Sequence, residues 1–165
     1  MKLLIIRHGP AGDKAKFAKT GRPDFERPLT SKGKEKTRRG AKGLRRLIGR
    51  IDILASSPLS RAWQTAEIVS KAFDGVPIQE MRELKPDADP RSAAKALLGR
   101  KGGTIALVGH EPHLGRLIAL LCAGRLEPMT ELKKGQVCVL ELEPGRSAAR
   151  ILWSLTPSQL RRIRR

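Results

Sequence analysis

The chain has 165 residues, 39% hydrophobic and 30% charged, a length and balance that suit one globular domain with its own core. Lys and Arg total 34 against 16 Asp and Glu, a formal net charge of +18. This points either to an anionic partner (nucleic acid, polyphosphate or an acidic or phosphorylated molecule) or to a heavily solvated surface. Apolar runs such as Leu117-Ile118-Ala119-Leu120-Leu121 fall short of a membrane span, Met1-Lys2 opens no signal-peptide layout, and Cys122 and Cys138 lie in apolar surroundings. The expectation is a reduced, cytoplasmic protein without a membrane partner or a disulfide framework.

Lys2-Leu3-Leu4-Ile5-Ile6 is a nearly continuous apolar run and predicts a strand buried on both faces. It ends in Arg7-His8-Gly9-Pro10. From Ala11 to Pro28 no period is visible, and a loop of that length in a compact domain is often functional. Thr30 or Ser31 caps a predicted helix running to about Ile48, with Ala41, Leu44 and Leu47/Ile48 as its buried stripe. Ile51–Ala55 reads as a second strand. Ser57-Pro58 then supplies an N-cap and a first-turn proline for a helix carrying Leu59, Ala62, Trp63, Ala66, Val69 and Phe73 at three- and four-residue spacing. Trp63 and Phe73 are expected in the core.

Val76-Pro77-Ile78 is a short extended piece, Leu84–Asp89 a proline-punctuated loop and Pro90–Leu98 a helix. Gly102-Gly103 turns the chain into a third buried strand, Thr104–Val108, which ends in Gly109-His110-Glu111-Pro112 before a helix over Leu114–Cys122. Gln136–Leu142 and Ala148–Leu155 are two strands joined around Glu143-Pro144-Gly145, a hairpin-like turn. Strands alternating with helices predict an α/β fold: a three-layer sandwich with a mostly parallel sheet, helices on both faces and an antiparallel edge strand. One domain covers residues 1–165.

In such sheets ligands bind beyond the carboxyl ends of the strands. His8 follows the first strand and His110 the third, with Arg7 beside His8. Arg61 lies near the start of the helix after the second strand and leans back toward that helix's N-terminus. Two His and two Arg therefore converge on one cationic rim. Arginine recognises phosphate bidentately, and a neutral imidazole is a competent nucleophile that can carry a phosphoryl group. His113, three residues after His110, suggests a metal pair, but no third ligand is evident, so neither a metal nor a cofactor is expected.

Arg7-His8-Gly9 directly after a first strand resembles the signature of the histidine phosphatase superfamily, the phosphoglycerate mutase-like proteins. Arg27-Pro28-Leu29-Thr30-x-x-Gly33, Ser56-Ser57-Pro58-x-x-Arg61-Ala62-x-Gln64-Thr65 and Val108-Gly109-His110 match its later blocks in order. The short chain and Glu83-Leu84-x-Pro86 resemble its small SixA-type phosphohistidine phosphatase branch. The likeness runs from Lys2 to about Ala123. It implies a phosphoglycerate mutase-like fold and a phosphatase that uses no metal. His8 is then the nucleophile, and Arg7, Arg61 and His110 bind the phosphoryl oxygens beside it.

Larger members of that family carry a Glu or Asp general acid where this chain reads Arg82-Glu83-Leu84-Lys85-Pro86-Asp87, with proline at the expected position. Glu83, Asp87, Asp24 and Glu26 are the candidate substitutes, each equally readable as a surface ion-pair partner. The substrate implied is a phosphorylated protein, most simply one carrying phosphohistidine. Two other readings stand beside it: a hydrolase of small phosphoesters, nucleotides or polyphosphate on the same site, and a non-catalytic basic module that binds phosphate groups. A mutase is disfavoured because the chain lacks the insertions that enclose a sugar-type substrate.

Overall fold

The computed structural model describes residues 1–98, 100, 103–143 and 148–163. The three apolar runs become the strands β1 (Lys2–Arg7), β2 (Ile53–Ser56) and β4 (Thr104–Gly109), and the extended piece Val76-Pro77-Ile78 leads into a short strand, β3 (Ile78–Glu80), all four parallel to one another. Strand β5 (Val137–Glu141) runs antiparallel to β1, and β6 (Arg150–Leu155) antiparallel to β5. The sheet order is β3-β2-β4-β1-β5-β6. The expected mostly parallel sheet with an antiparallel edge is the one that forms.

Because successive strand residues face opposite sides, the central strands feed two cores. Leu3, Ile5, Ile105 and Leu107 pack against α4 (Pro90–Leu98) and α5 (His113–Ala123). Leu4, Ile6, Ala106 and Val108 pack against α2 (Ser31–Ile48), α3 (Ser60–Ala72) and α6 (Pro157–Arg162). The result is three layers. Ile5 and Leu107 are fully buried, and truncating either to Ala would cost about 2–5 kcal/mol.

Helix α2 starts at the Thr30 N-cap, whose hydroxyl accepts from the Gly33 N–H at 2.9 Å. Its glycines lower helix propensity but admit backbone at close range. A Cβ on Gly33 would sit 2.0 Å from the Pro10 carbonyl oxygen, and one on Gly43 2.0 Å from that of Leu160. Two segments distant in sequence, the loop after β1 and α6, are thereby held against one helix.

Several expectations need correction. The stretch after β1 is not a structureless loop: Asp13 caps a short helix, α1 (Lys14–Ala18), by accepting from the Lys16 N–H, and a 3₁₀ turn spans Asp24–Glu26. Leu47 is not in the buried stripe of α2 but 46% exposed, because the packed face is the one carrying Gly40, Ala41 and Leu44. Ser57 does not cap the next helix. The N-cap of α3 is Leu59, without a side-chain cap, and the Ser57 hydroxyl accepts from the Leu59 N–H at 3.4 Å and lies 2.9 Å from His110 Nε2. Trp63 is half-buried and outside both cores, whereas Phe73 is buried. Helix α5 begins at His113, one residue early. The turns expected at Gly102 and Pro144-Gly145 lie partly outside the described residues, as do Arg164 and Arg165.

The connection from β1 leads to α2 on one face, and that from β4 leads to α5 on the other. The two loops part between adjacent parallel strands, which opens a crevice at their carboxyl ends. Among the described residues, no helix is long and apolar enough to cross a membrane.

Candidate active site

Register sets the site. Arg7 pairs with Gly109 in the β1–β4 ladder, and Ser56 with Val108 in the β2–β4 ladder. The ladders continue one step further: the His8 N–H donates to the Gly109 carbonyl and the Ser57 N–H to that of Val108, both at 3.0 Å. His8, His110 and Ser57 are therefore level at the sheet edge. The two imidazoles lie 5.1 Å apart, centroid to centroid, tilted by 53°. His8 is 5% exposed, His110 2% and Arg61 5%.

The His8 ring nitrogen Nδ1 lies 2.7 Å from the Gly9 carbonyl oxygen. A carbonyl only accepts, so Nδ1 carries the proton and Nε2 keeps its lone pair. Burial, followed by the nearby charges of Arg61 and Arg7, pushes the His8 pKa down to about 3 despite the opposing Gly9 hydrogen bond. Burial and the charges of His8 and Arg61 push His110 down to about 2. Both rings are neutral at pH 7. His110 Nε2 is 2.9 Å from the Ser57 hydroxyl, so its Nδ1 is turned away from that partner.

Each arginine is anchored through its Nη1. Arg7 Nη1 donates to the Leu132 carbonyl and lies 3.8 Å from Glu131. Arg61 Nη1 donates to the Asp24 carbonyl at 3.1 Å and sits 3.3 Å from the Asp24 carboxylate. Arg7 Nε, Arg61 Nε and His110 Nδ1 are all buried and have no hydrogen-bond partner. A buried unpaired polar group costs about 1–3 kcal/mol. The two arginine N–H groups, joined by His110 Nδ1 in the tautomer whose Nε2 accepts from the Ser57 hydroxyl, form a donor set suited to the oxygens of a tetrahedral oxyanion.

The structure brings His8 and His110 side by side, with Arg61 and Arg7 close enough for their charges to act on both rings. The candidate acids fare differently. Asp24 joins the cluster through Arg61, but the Arg27 hydrogen bond, then the Arg61 charge, holds its carboxyl below the usual range, outweighing partial burial. It is a carboxylate that positions arginines. Glu26 pairs with Arg22 at 2.8 Å. Glu83 lies in a 3₁₀ turn (Arg82–Leu84) and Asp87 on the exposed side of the following loop. No hydrogen bond or ion pair joins Glu26, Glu83 or Asp87 to Arg7, His8, Arg61 or His110. Among the described residues, no three His, Cys, Asp or Glu side chains are grouped to hold a metal ion. His113 is buried, and neither ring nitrogen makes a hydrogen bond of good geometry.

A supporting shell escaped residue-level reading. The Thr65 hydroxyl accepts from the Gly9 N–H at 3.0 Å and donates to the Arg61 carbonyl at 2.7 Å, tying the loop after β1 to α3. Gln64 accepts from the Leu29 N–H at 2.9 Å. Arg27 donates to Asp24 and to the Gly12 carbonyl, both at 2.7 Å. The Glu111 carboxylate accepts from the Leu132 N–H at 2.9 Å and the Gly115 N–H at 3.1 Å, bracing the segment whose carbonyl holds Arg7. Arg27, Gln64 and Thr65 stood in the ordered sequence blocks without assigned roles, and Ser57 stood there only as a helix cap. Glu111 and the Leu132 carbonyl carried no signal.

Comparison with known proteins agrees with this geometry. Residues 3–86 match the histidine phosphatase superfamily (branch 1). An uncharacterized protein of Picosynechococcus sp. is 35% identical over 153 residues, which span 90% of this chain and 90% of that protein. Phosphohistidine phosphatase SixA of Escherichia coli (strain K12) is 29% identical over 136 residues, 78% of this chain and 79% of that protein. Among solved structures, a protein histidine phosphatase SixA complexed with tungstate superposes with a TM-score of 0.81 at 28% identity, over 97% of this chain and 99% of that one.

Proposed function

The chain belongs to the histidine phosphatase superfamily, branch 1, and from that premise we propose that it is a metal-independent phosphatase acting on phosphohistidine in a protein. The observation that carries the reading is the set of three buried, unpartnered side-chain nitrogens, Arg7 Nε, Arg61 Nε and His110 Nδ1, beside a neutral His8. The relatives named as SixA phosphatases support the choice of substrate.

In this reading His8 Nε2 attacks the phosphorus atom, its tautomer fixed by the Nδ1–H donation to Gly9. The P–N bond to the substrate imidazole breaks as the bond to His8 forms. The substrate ring, protonated beforehand on the ring nitrogen that does not carry phosphorus, takes the P–N bond pair onto its bridging nitrogen and leaves as neutral imidazole. Arg7, Arg61 and His110 hold the three equatorial phosphoryl oxygens and stabilise the charge spread over them. Water then cleaves the phospho-His8 bond and releases inorganic phosphate. The protein's own cations supply the charge stabilisation that a metal ion supplies in other phosphoryl-transfer sites.

The test is to quench the enzyme during turnover of a radiolabelled phosphohistidine protein. The expected label sits on His8, is lost in acid and survives in base. It disappears, with turnover, in His8→Ala. A His8→Ala variant that turned over at the wild-type rate would overturn the assignment.

A further inference from the structure

Behind the His8 loop lies a cavity of about 320 Å³, at the small end of ligand pockets, which run from about 300 to 1,000 Å³. Its apolar lining includes Ile6, Ala41, Leu44 and Leu160. Lys36, Lys133, Lys134 and Arg161 complete the wall. Among the described residues no carboxylate forms an ion pair with any of these four cations.

The cavity is physically joined to the candidate active site. Thr65, which holds the Gly9 N–H, lines it, as does Pro10. Gly135, also in the lining, donates its N–H to the carbonyls of Arg7 and His8 at 3.1 and 3.0 Å. Lys134 is close enough to His8 for its charge to act on the imidazole. An apolar hollow ringed by unpaired cations and set against the nucleophile loop is complementary to one chemistry: an apolar side chain among acidic residues.

We propose that this cavity between α2, α6 and the 133–135 loop docks the phosphorylated protein, taking an apolar side chain from an acidic surface while the phosphohistidine enters the site at His8. The surplus of Lys and Arg on α2, which carries Lys32, Lys34, Lys36, Arg38, Arg39 and Lys42, then serves partner choice and steering as well as solubility. The inference rests on the proposed function for its substrate. Its docking half is measurable without turnover.

The test uses acidic peptides that carry one histidine and a single Leu at varied distance from it, and the same peptides with Ser in place of Leu. Their affinity is read by fluorescence anisotropy without phosphorylation, and their hydrolysis after phosphorylation on the histidine. Gly40 lines the cavity, and a Cβ placed there meets nothing closer than the Leu160 Cβ at 4.0 Å. Gly40→Leu therefore fills the hollow and raises helix propensity.

At one spacing, the Leu peptide should bind the native protein at least about tenfold more tightly than its Ser counterpart, a difference of about 1.4 kcal/mol. Gly40→Leu should erase that gain, and Lys36→Glu with Lys133→Glu should weaken every acidic peptide. Hydrolysis of free phosphohistidine should stay unchanged in both variants. Equal binding of Leu and Ser peptides at every spacing, or a gain that survives Gly40→Leu, would overturn the docking site. If the peptides dock as expected but neither they nor free phosphohistidine are hydrolysed, the proposed function fails and the docking surface stands.

Discussion

Asp24 anchors Arg61 twice: its carboxylate lies 3.3 Å from Nη1, and its backbone carbonyl accepts from the same nitrogen at 3.1 Å. Its other carboxylate oxygen takes the Arg27 Nε–H at 2.7 Å. An acid so placed aims the Arg61 guanidinium and is a poor proton donor. The backbone carbonyl survives substitution, and Asp24 is partly solvated. Asp24→Asn should therefore lower kcat/KM by about tenfold or less. The loss should be the same for aryl phosphates of widely different leaving-group pKa. A loss that grows as the leaving group becomes more basic would make Asp24 the general acid.

The same two buried imidazoles set a pH limit on stability. Folding lowers His8 to about 3 and His110 to about 2 from an ordinary value of 6.5. Below pH 6.5 the unfolded chain takes up protons that the folded protein refuses. Stability from this source is fully present above pH 6.5 and is lost progressively as pH falls toward 3. The melting temperature of His8→Asn, measured in phosphate-free buffer, should fall less steeply than that of the native protein between pH 6.5 and 4. Parallel slopes would mean that His8 titrates normally in the folded state.

In the proposed mechanism the charge at the phosphoryl group is balanced by Arg7 and Arg61 together with His110. Steady-state turnover should be unchanged after EDTA treatment. Arg61→Ala should lower kcat by about 10²–10³, the usual cost of losing one preorganised donor. Loss of activity in EDTA with recovery on adding Zn²⁺ or Mg²⁺ would show that the arginines are insufficient.

Much of this was legible in the chain because it depends on period and order. Three apolar runs specify the parallel strands β1, β2 and β4, and the residues that follow them must then meet at one edge. Ser57 shows the limit. Local rules make Ser-Pro a helix start, yet His110, 53 residues away, takes the Ser57 hydroxyl at 2.9 Å, and the helix begins three residues later without a side-chain cap. Leu47 was misplaced because the glycines of α2 let α6 and the Pro10 loop approach at backbone distance, which fixes the buried face of that helix. The braces through Glu111 and the Leu132 carbonyl are long-range contacts to backbone, and no side-chain pattern encodes them.

The final prediction turns on the leaving group. Among the four carboxylates considered, only Asp24 reaches the cluster, and its arginine partners hold it deprotonated. An alkoxide is strongly basic and needs a proton as it departs, a contribution of about 10²–10⁴ in rate from a positioned acid. A phosphorylated imidazole brings its own proton and leaves neutral. A site with a free imidazole nucleophile and strong oxygen ligands, in which none of those four carboxyls is placed as a proton donor, therefore favours P–N over P–O cleavage. Rates should fall from phosphohistidine to aryl phosphates to alkyl phosphates, with the alkyl esters at least about a hundredfold slower. Glu83→Gln, Asp87→Asn and Glu26→Gln should each leave phosphohistidine hydrolysis within about tenfold of the native rate. If one of them abolished turnover of every substrate, that carboxyl would be the missing acid. Efficient hydrolysis of simple alkyl phosphates by the native protein would transfer the assignment to small phosphoesters, because it would require a proton source that the neutral leaving imidazole does not.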